Sequence, residues 1–142
     1  KWEGRWERSD KSVTNVVDAV SGIQTDKVKV LWCKPTEVGG KLDRQKKTDA
    51  RVKLVVAGIE GPQYISIQVK SDPVHLKQFL SRYEDLLEKG NTPEERAWNK
   101  LARKRLVLIN GRESLEEIRS KFISQLERIM EIRWGGKFDL KP

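Results

Sequence analysis

YISIQVKS, running from Tyr64 to Ser71, alternates apolar and polar side chains along its length. Ile65, Ile67 and Val69 fall on one side, and Tyr64, Ser66, Gln68 and Lys70 on the other. That period of two predicts a β-strand with one face on a core. Lysine is depleted in strand interiors, and its ammonium is costly to bury without a partner. A strand ending in Gln-x-Lys therefore presents two polar groups, about 7 Å apart by strand rise, at a surface or in a site.

Working outward, RVKLVVA (Arg51 to Ala57) predicts a second strand, with Val52, Leu54 and Val56 on its apolar side. GIEGPQ (Gly58 to Gln63) carries the glycine and proline signals of a hairpin loop. Folding the hairpin about this loop sets the start of the first strand beside the end of the second. Asp49 then lies close to Gln68 and Lys70, which gathers a carboxylate, an amide oxygen and an ammonium at one edge of a sheet. Such oxygen donors suit Mg²⁺, which keeps several waters and needs few protein ligands beside a substrate phosphate. A neighbouring lysine can orient the attacking water or offset charge developing on that phosphate. The plain alternative makes Asp49 a turn former, Gln68 an edge residue and Lys70 a solvated strand end.

Thr48-Asp49 followed about twenty residues later by Gln68-Val69-Lys70, on adjacent strands, resembles the PD-(D/E)XK nuclease superfamily. In that pattern an aspartate where one strand begins precedes a strand ending in (D/E)-x-K. Thr48 stands where the pattern has proline. Gln68 stands where it has an acid, which removes one negative charge; a QxK form occurs in active members. The resemblance spans roughly residues 28 to 110 in organisation and three residues in motif. It implies a metal-dependent endonuclease of restriction or homing type that hydrolyses phosphodiester bonds in double-stranded DNA. Asp49, the Gln68 oxygen and the Val69 carbonyl would hold Mg²⁺, and Lys70 would orient the water. It also implies an acid from the first helix, for which Glu7 is the choice and Glu3 and Asp10 are rivals.

The 142 residues fit one domain, 1–142, able to bury a core without metal or disulfide staples. Charged residues make up 35% and apolar ones 37%, but the apolar ones are patterned, which argues against disorder. Lys and Arg number 29 against 21 acids, a net charge of +8 that favours a polyanionic partner. Cys33 is the sole cysteine, so disulfides within the chain and cysteine metal clusters are excluded. It lies in an apolar strand and is expected to be a buried thiol. No apolar run approaches a membrane span and no signal-peptide stretch opens the chain. The expectation is an intracellular protein, cytoplasmic or nucleoid-associated.

Along the rest of the chain, Trp2 and Trp6 in the opening segment are expected to pack on the core. Val13, Val16, Val17 and Val20 share a helix face that stops at Gly22. KVKVLWC (Lys27 to Cys33) predicts a strand with Val28, Val30 and Trp32 on one side. Lys41, Arg44, Lys46 and Lys47 lie in a basic loop before Asp49 and, with Arg51, are candidate phosphate contacts. Asp72-Pro73 predicts a helix running to Gly90, with His75, the one histidine, in its first turn. Thr92-Pro93-Glu94-Glu95 and Ser114-x-x-Glu117 are helix-opening capping boxes, and RLVLIN (Arg105 to Asn110) between them is a short strand. The residues after Gly135-Gly136 read as a trailing segment.

The predicted fold is α/β, an αβββαβ core of restriction-endonuclease-like type with a small mixed sheet flanked by helices. No P-loop, dinucleotide fingerprint, nucleophile elbow or zinc-protease motif occurs. Cutting both strands from so small a core predicts a homo-oligomer, dimer or tetramer. Two other readings remain: a non-catalytic nucleic-acid-binding module on the same fold, and a basic interaction protein with no nucleic-acid role.

Overall fold

A computed structural model describes residues 2–36, 48–70 and 92–142, with side chains from residue 11 onward except that of Pro93. The predicted basic loop and the predicted helix from Asp72 to Gly90, His75 included, lie outside the described residues. The elements in chain order are α1 (Trp2–Ser21), β1 (Val28–Pro35), β2 (Ala50–Val56), β3 (Gln63–Lys70), α2 (Pro93–Lys104), β4 (Leu106–Asn110) and α3 (Leu115–Trp134). Among the described residues the architecture is α/β: three helices and a small mixed sheet of strand order β1-β2-β3-β4. The first three strands form an antiparallel meander, and β4 adds parallel to β3.

The β2–β3 hairpin forms as the alternation predicts, with Leu54 opposite Gln63 and Ala50 opposite Ile67. Gly58 and Gly61 in its loop have φ of 89° and 79°, which a side chain would resist. Val52, Leu54, Ile65 and Ile67 are completely buried on one sheet face. They join Val107 and Ile109 of β4, Val16 and Val20 of α1, and Phe122, Leu126 and Ile129 of α3 in the main core. The other face meets α2 at its β4 side, where Leu106 and Leu108 pack with Ala97 and Leu101.

The helix ends follow the capping signals. Thr92 Oγ1 accepts from the Glu95 N–H at 3.1 Å, and Ser114 Oγ accepts from the Glu117 N–H at 3.2 Å. α2 closes on Arg105, whose φ of 53° is the left-handed cap conformation, so the strand predicted from Arg105 begins one residue later. At the other end of the core, the Arg119 Nε–H donates to the Ala19 carbonyl at 2.8 Å and satisfies the last turn of α1.

Two expectations are corrected. Trp32 does not share a face with Val28 and Val30, because the β1–β2 register shifts between Val30 and Trp32. The extra residue returns Cys33 to the core side and leaves Trp32 beside Lys53, away from it. The C-terminal segment is not a trailing one. Leu140 is buried in the main core, its N–H donates to Glu127 Oε2 at 2.8 Å, and the Phe138 N–H donates to Glu131 Oε1 at 3.2 Å.

Candidate functional site

Asp49 occupies the step just before β2. Its N–H donates to the Ile67 carbonyl at 2.8 Å, and its carbonyl accepts from the Thr36 N–H at 2.9 Å. The Thr36 hydroxyl donates to the Thr48 carbonyl at 2.6 Å, and Thr48 is itself 1% exposed. Thr48-Asp49 is thus pinned between the end of β1 and β3. The Asp49 carboxylate takes over where the β2 backbone stops. Its Oδ2 accepts from the Val69 N–H at 2.7 Å, a bond strengthened by the carboxylate charge. The N–H and C=O of an extended residue point the same way, so the Val69 carbonyl faces the Asp49 side as well.

Gln68 follows Ile67, whose partner in β2 is Ala50, and it pairs with Leu108 of β4. Opposed residues share a sheet face, which puts Gln68 on the side away from the main core. It is nonetheless 6% exposed, and its Oε1 is buried without a hydrogen-bond partner. An acceptor left in that state costs about 1–3 kcal/mol, so a donor or a cation at that point would be gained at little expense. Lys70, on the same face, is half-buried and pairs with Asn110 across the parallel ladder. Its carbonyl accepts from the Gly111 N–H at 2.8 Å.

Gly111 is where α1 presses on this end of the sheet. A Cβ there would lie 2.6 Å from Ser12 Cβ, 2.8 Å from the Ser12 carbonyl and 2.9 Å from Val69 Cγ1. The Asn15 amide donates to the Gly111 carbonyl at 3.3 Å. Only glycine allows the helix this close to the strand that carries Gln68 and Lys70. Asn110 beside it is buried, and its Oδ1 accepts from the Arg112 N–H at 2.9 Å.

The hairpin therefore brings Asp49, Gln68, Val69 and Lys70 together. Glu7 and its rivals Glu3 and Asp10 belong to α1, but their side chains lie outside the described ones. Lys41, Arg44, Lys46 and Lys47 lie outside the described residues. Arg51 is half-buried on the Asp49 face between Lys34 and Ser66, and its Nε is buried without a hydrogen-bond partner. Thr36, Asn110 and Gly111 were not anticipated. Asn110-Gly111 signals a turn, but its place beside Lys70 follows from the parallel β3–β4 pairing, which no local pattern specifies.

The donors to a cation would be one carboxylate, one amide oxygen and one main-chain carbonyl. This all-oxygen set, with the Gln68 oxygen in want of a partner, fits a hard cation that retains much of its water. Among the described residues, no three His, Cys, Asp or Glu side chains gather as a metal-holding group. Burial pushes the Cys33 thiol up to about 12, so it stays protonated at neutral pH and is no nucleophile. No helix among the described residues is long and apolar enough to cross a membrane. No family model, curated protein or solved structure matches this chain.

Proposed function

We propose that the chain is a metal-dependent DNA endonuclease on a restriction-endonuclease-like αβββαβ core, hydrolysing phosphodiester bonds in double-stranded DNA. The observation that carries it is the placement at one sheet end of Asp49, its carboxylate held by the Val69 N–H, with Gln68, whose buried oxygen has no partner, and Lys70 on the same strand as Val69. The fold reading draws support from the meander β1-β2-β3, the preceding helix, and β4 added parallel after a helix.

In this reading Asp49, Gln68 Oε1 and the Val69 carbonyl hold Mg²⁺. When bound, Mg²⁺ polarises a phosphate oxygen and lowers the pKa of its water. The Val69 N–H fixes the Asp49 carboxylate, so that it is aimed before substrate arrives. The Lys70 ammonium orients the water and offsets the charge that builds on the phosphate. Arg51 and the basic segment Lys41, Arg44, Lys46 and Lys47 supply phosphate contacts that position the duplex without reading bases. Glu7 is the candidate additional acid. A dimer or tetramer would cut both strands, in an intracellular setting.

The test is cleavage of supercoiled plasmid with Mg²⁺, against the same mixture with EDTA. Gln68→Ala and Lys70→Ala, shown folded by circular dichroism, are expected to lose cleavage and keep DNA binding. Gln68→Glu is expected to retain some. Folded Gln68→Ala and Lys70→Ala proteins that cut like the parent would place the chemistry elsewhere. The second reading, a non-catalytic binding module on the same fold, is favoured by the presence of a single carboxylate, Asp49, among the donors identified. It predicts that the parent binds DNA and cuts none.

A further inference from the structure

The outer face of β1–β3 leads straight to Asp49, and its chemistry is one-sided. The three strands contain Lys29, Lys34, Arg51, Lys53 and Lys70 and no acidic residue. Register sets these side chains in rows. Trp32, Lys53 and Tyr64 lie across one row, Lys34, Arg51 and Ser66 across the next, and Gln68 in the row after, with Asp49 just before β2. Successive rows on one face are about 7 Å apart by strand rise.

The aromatic row is turned away from the main core by the β1 irregularity, with Trp32 half-buried and Tyr64 more open. Tyr64 is 39% exposed, and the neighbouring Leu31 and Val55 are 47% and 38% exposed. The Trp32 and Tyr64 ring centroids are 6.4 Å apart with a tilt of 59°, so the two rings are not stacked face to face. An ammonium lies over each ring: Lys34 Nζ is 5.4 Å from the Trp32 centroid and Lys53 Nζ is 5.7 Å from that of Tyr64. A cation held so weakly at an exposed ring is readily drawn off by a phosphate.

We infer that this face binds single-stranded DNA, with two unpaired bases stacked on Trp32 and Tyr64 and the intervening phosphates on Lys34, Lys53 and Arg51. Paired π-faces and cations without acids match an unpaired strand, which offers bases and phosphates together. A duplex hides its base faces inside the stack and cannot use the rings. The buried, partnerless Arg51 Nε between the aromatic row and Asp49 suits an anion on that path. The direction of the strand toward Asp49, Gln68 and Lys70 rests on the endonuclease reading, which it deepens: the substrate is unpaired next to the bond that is cut.

The experiment measures binding of a fluorescent oligo-dT and of a blunt duplex of equal length, both in EDTA so that no cleavage enters. The expected result is tighter binding of oligo-dT, weakened about tenfold by Trp32→Leu or Tyr64→Leu. Duplex binding should change little in those variants, and Tyr64→Phe should keep oligo-dT affinity because it keeps the ring. Circular dichroism establishes that each variant is folded. The proposal is overturned if folded Trp32→Leu and Tyr64→Leu bind oligo-dT like the parent. It is equally overturned if duplex is preferred, or if polyglutamate displaces the labelled oligo-dT as effectively as unlabelled oligo-dT does. Since nothing is cut in these assays, a chain inert on plasmid passes or fails here independently.

Discussion

Gln68 combines burial with an oxygen that has no partner. A purely structural residue in that position would be better replaced by something apolar of similar size. Gln68→Leu is therefore expected to raise the unfolding free energy by about 1–3 kcal/mol, measured by urea denaturation without metal, while abolishing cleavage. A variant both less stable and inactive would mean that the amide supports the fold rather than the chemistry. Cys33 makes a second prediction. Its thiol is raised from an ordinary 9.0 to about 12 by burial, so the folded state resists ionisation that the unfolded state allows. The stabilisation is fully present below pH 9 and is lost as pH rises from 9 toward 12, by up to about 4 kcal/mol at 1.36 kcal/mol per unit. Denaturation of Cys33→Ala over that range should show a shallower loss than the parent. That Asp49 lies near the end of β3 is readable in the sequence, because strand alternation and loop length fix how the hairpin folds back. The Val69–Asp49 bond is not, since it depends on where the β2 backbone leaves off.

Among the elements, α1 approaches the sheet closely at Gly111, just past the end of β4. Gly111→Ala forces a methyl group against the Ser12 backbone and Val69 Cγ1, neither of which can swing away. The expected cost is about 1–3 kcal/mol, read as a lowered urea midpoint at unchanged slope. Cleavage should fall further than stability alone accounts for, because Val69 lies between the two proposed side-chain ligands. The helices were legible where chemistry is local. Thr92 and Ser114 are followed three residues later by a glutamate, and both cap as that spacing dictates. β1 was legible as a strand but not in its facing. KVKVLWC alternates cleanly in sequence, and one inserted residue near Leu31 reverses which side Trp32 takes. A bulge is chosen by the partner strand, so a single segment read alone cannot reveal it. The C-terminal segment was misread for a related reason: Leu140 gains its burial from a core assembled by residues far from it in the chain.

For the molecule as a whole, a net charge of +8 and acid-free strands predict that DNA binding is dominated by phosphate contacts. Affinity should fall linearly on a log–log plot against salt, by orders of magnitude between 50 and 200 mM for about six or more contacts. Reversing the charge of Lys46 and Lys47 should reduce binding to many sequences alike and make that slope shallower; a changed sequence preference would mean that these lysines read bases. The parallel placement of β4 governs a different property. An open sheet has two free edges, each able to recruit a strand from another molecule. Here the Gln125 side-chain amide stands in for that strand at β4, accepting from the Leu108 N–H at 2.9 Å and donating to its carbonyl at 2.6 Å. At β1 the Gln24 amide donates to the Val30 carbonyl at 2.8 Å, and the Val30 N–H donates to the Ile23 carbonyl. Two glutamines thus act as stoppers against runaway sheet growth, capping the edge strands at Val30 and Leu108.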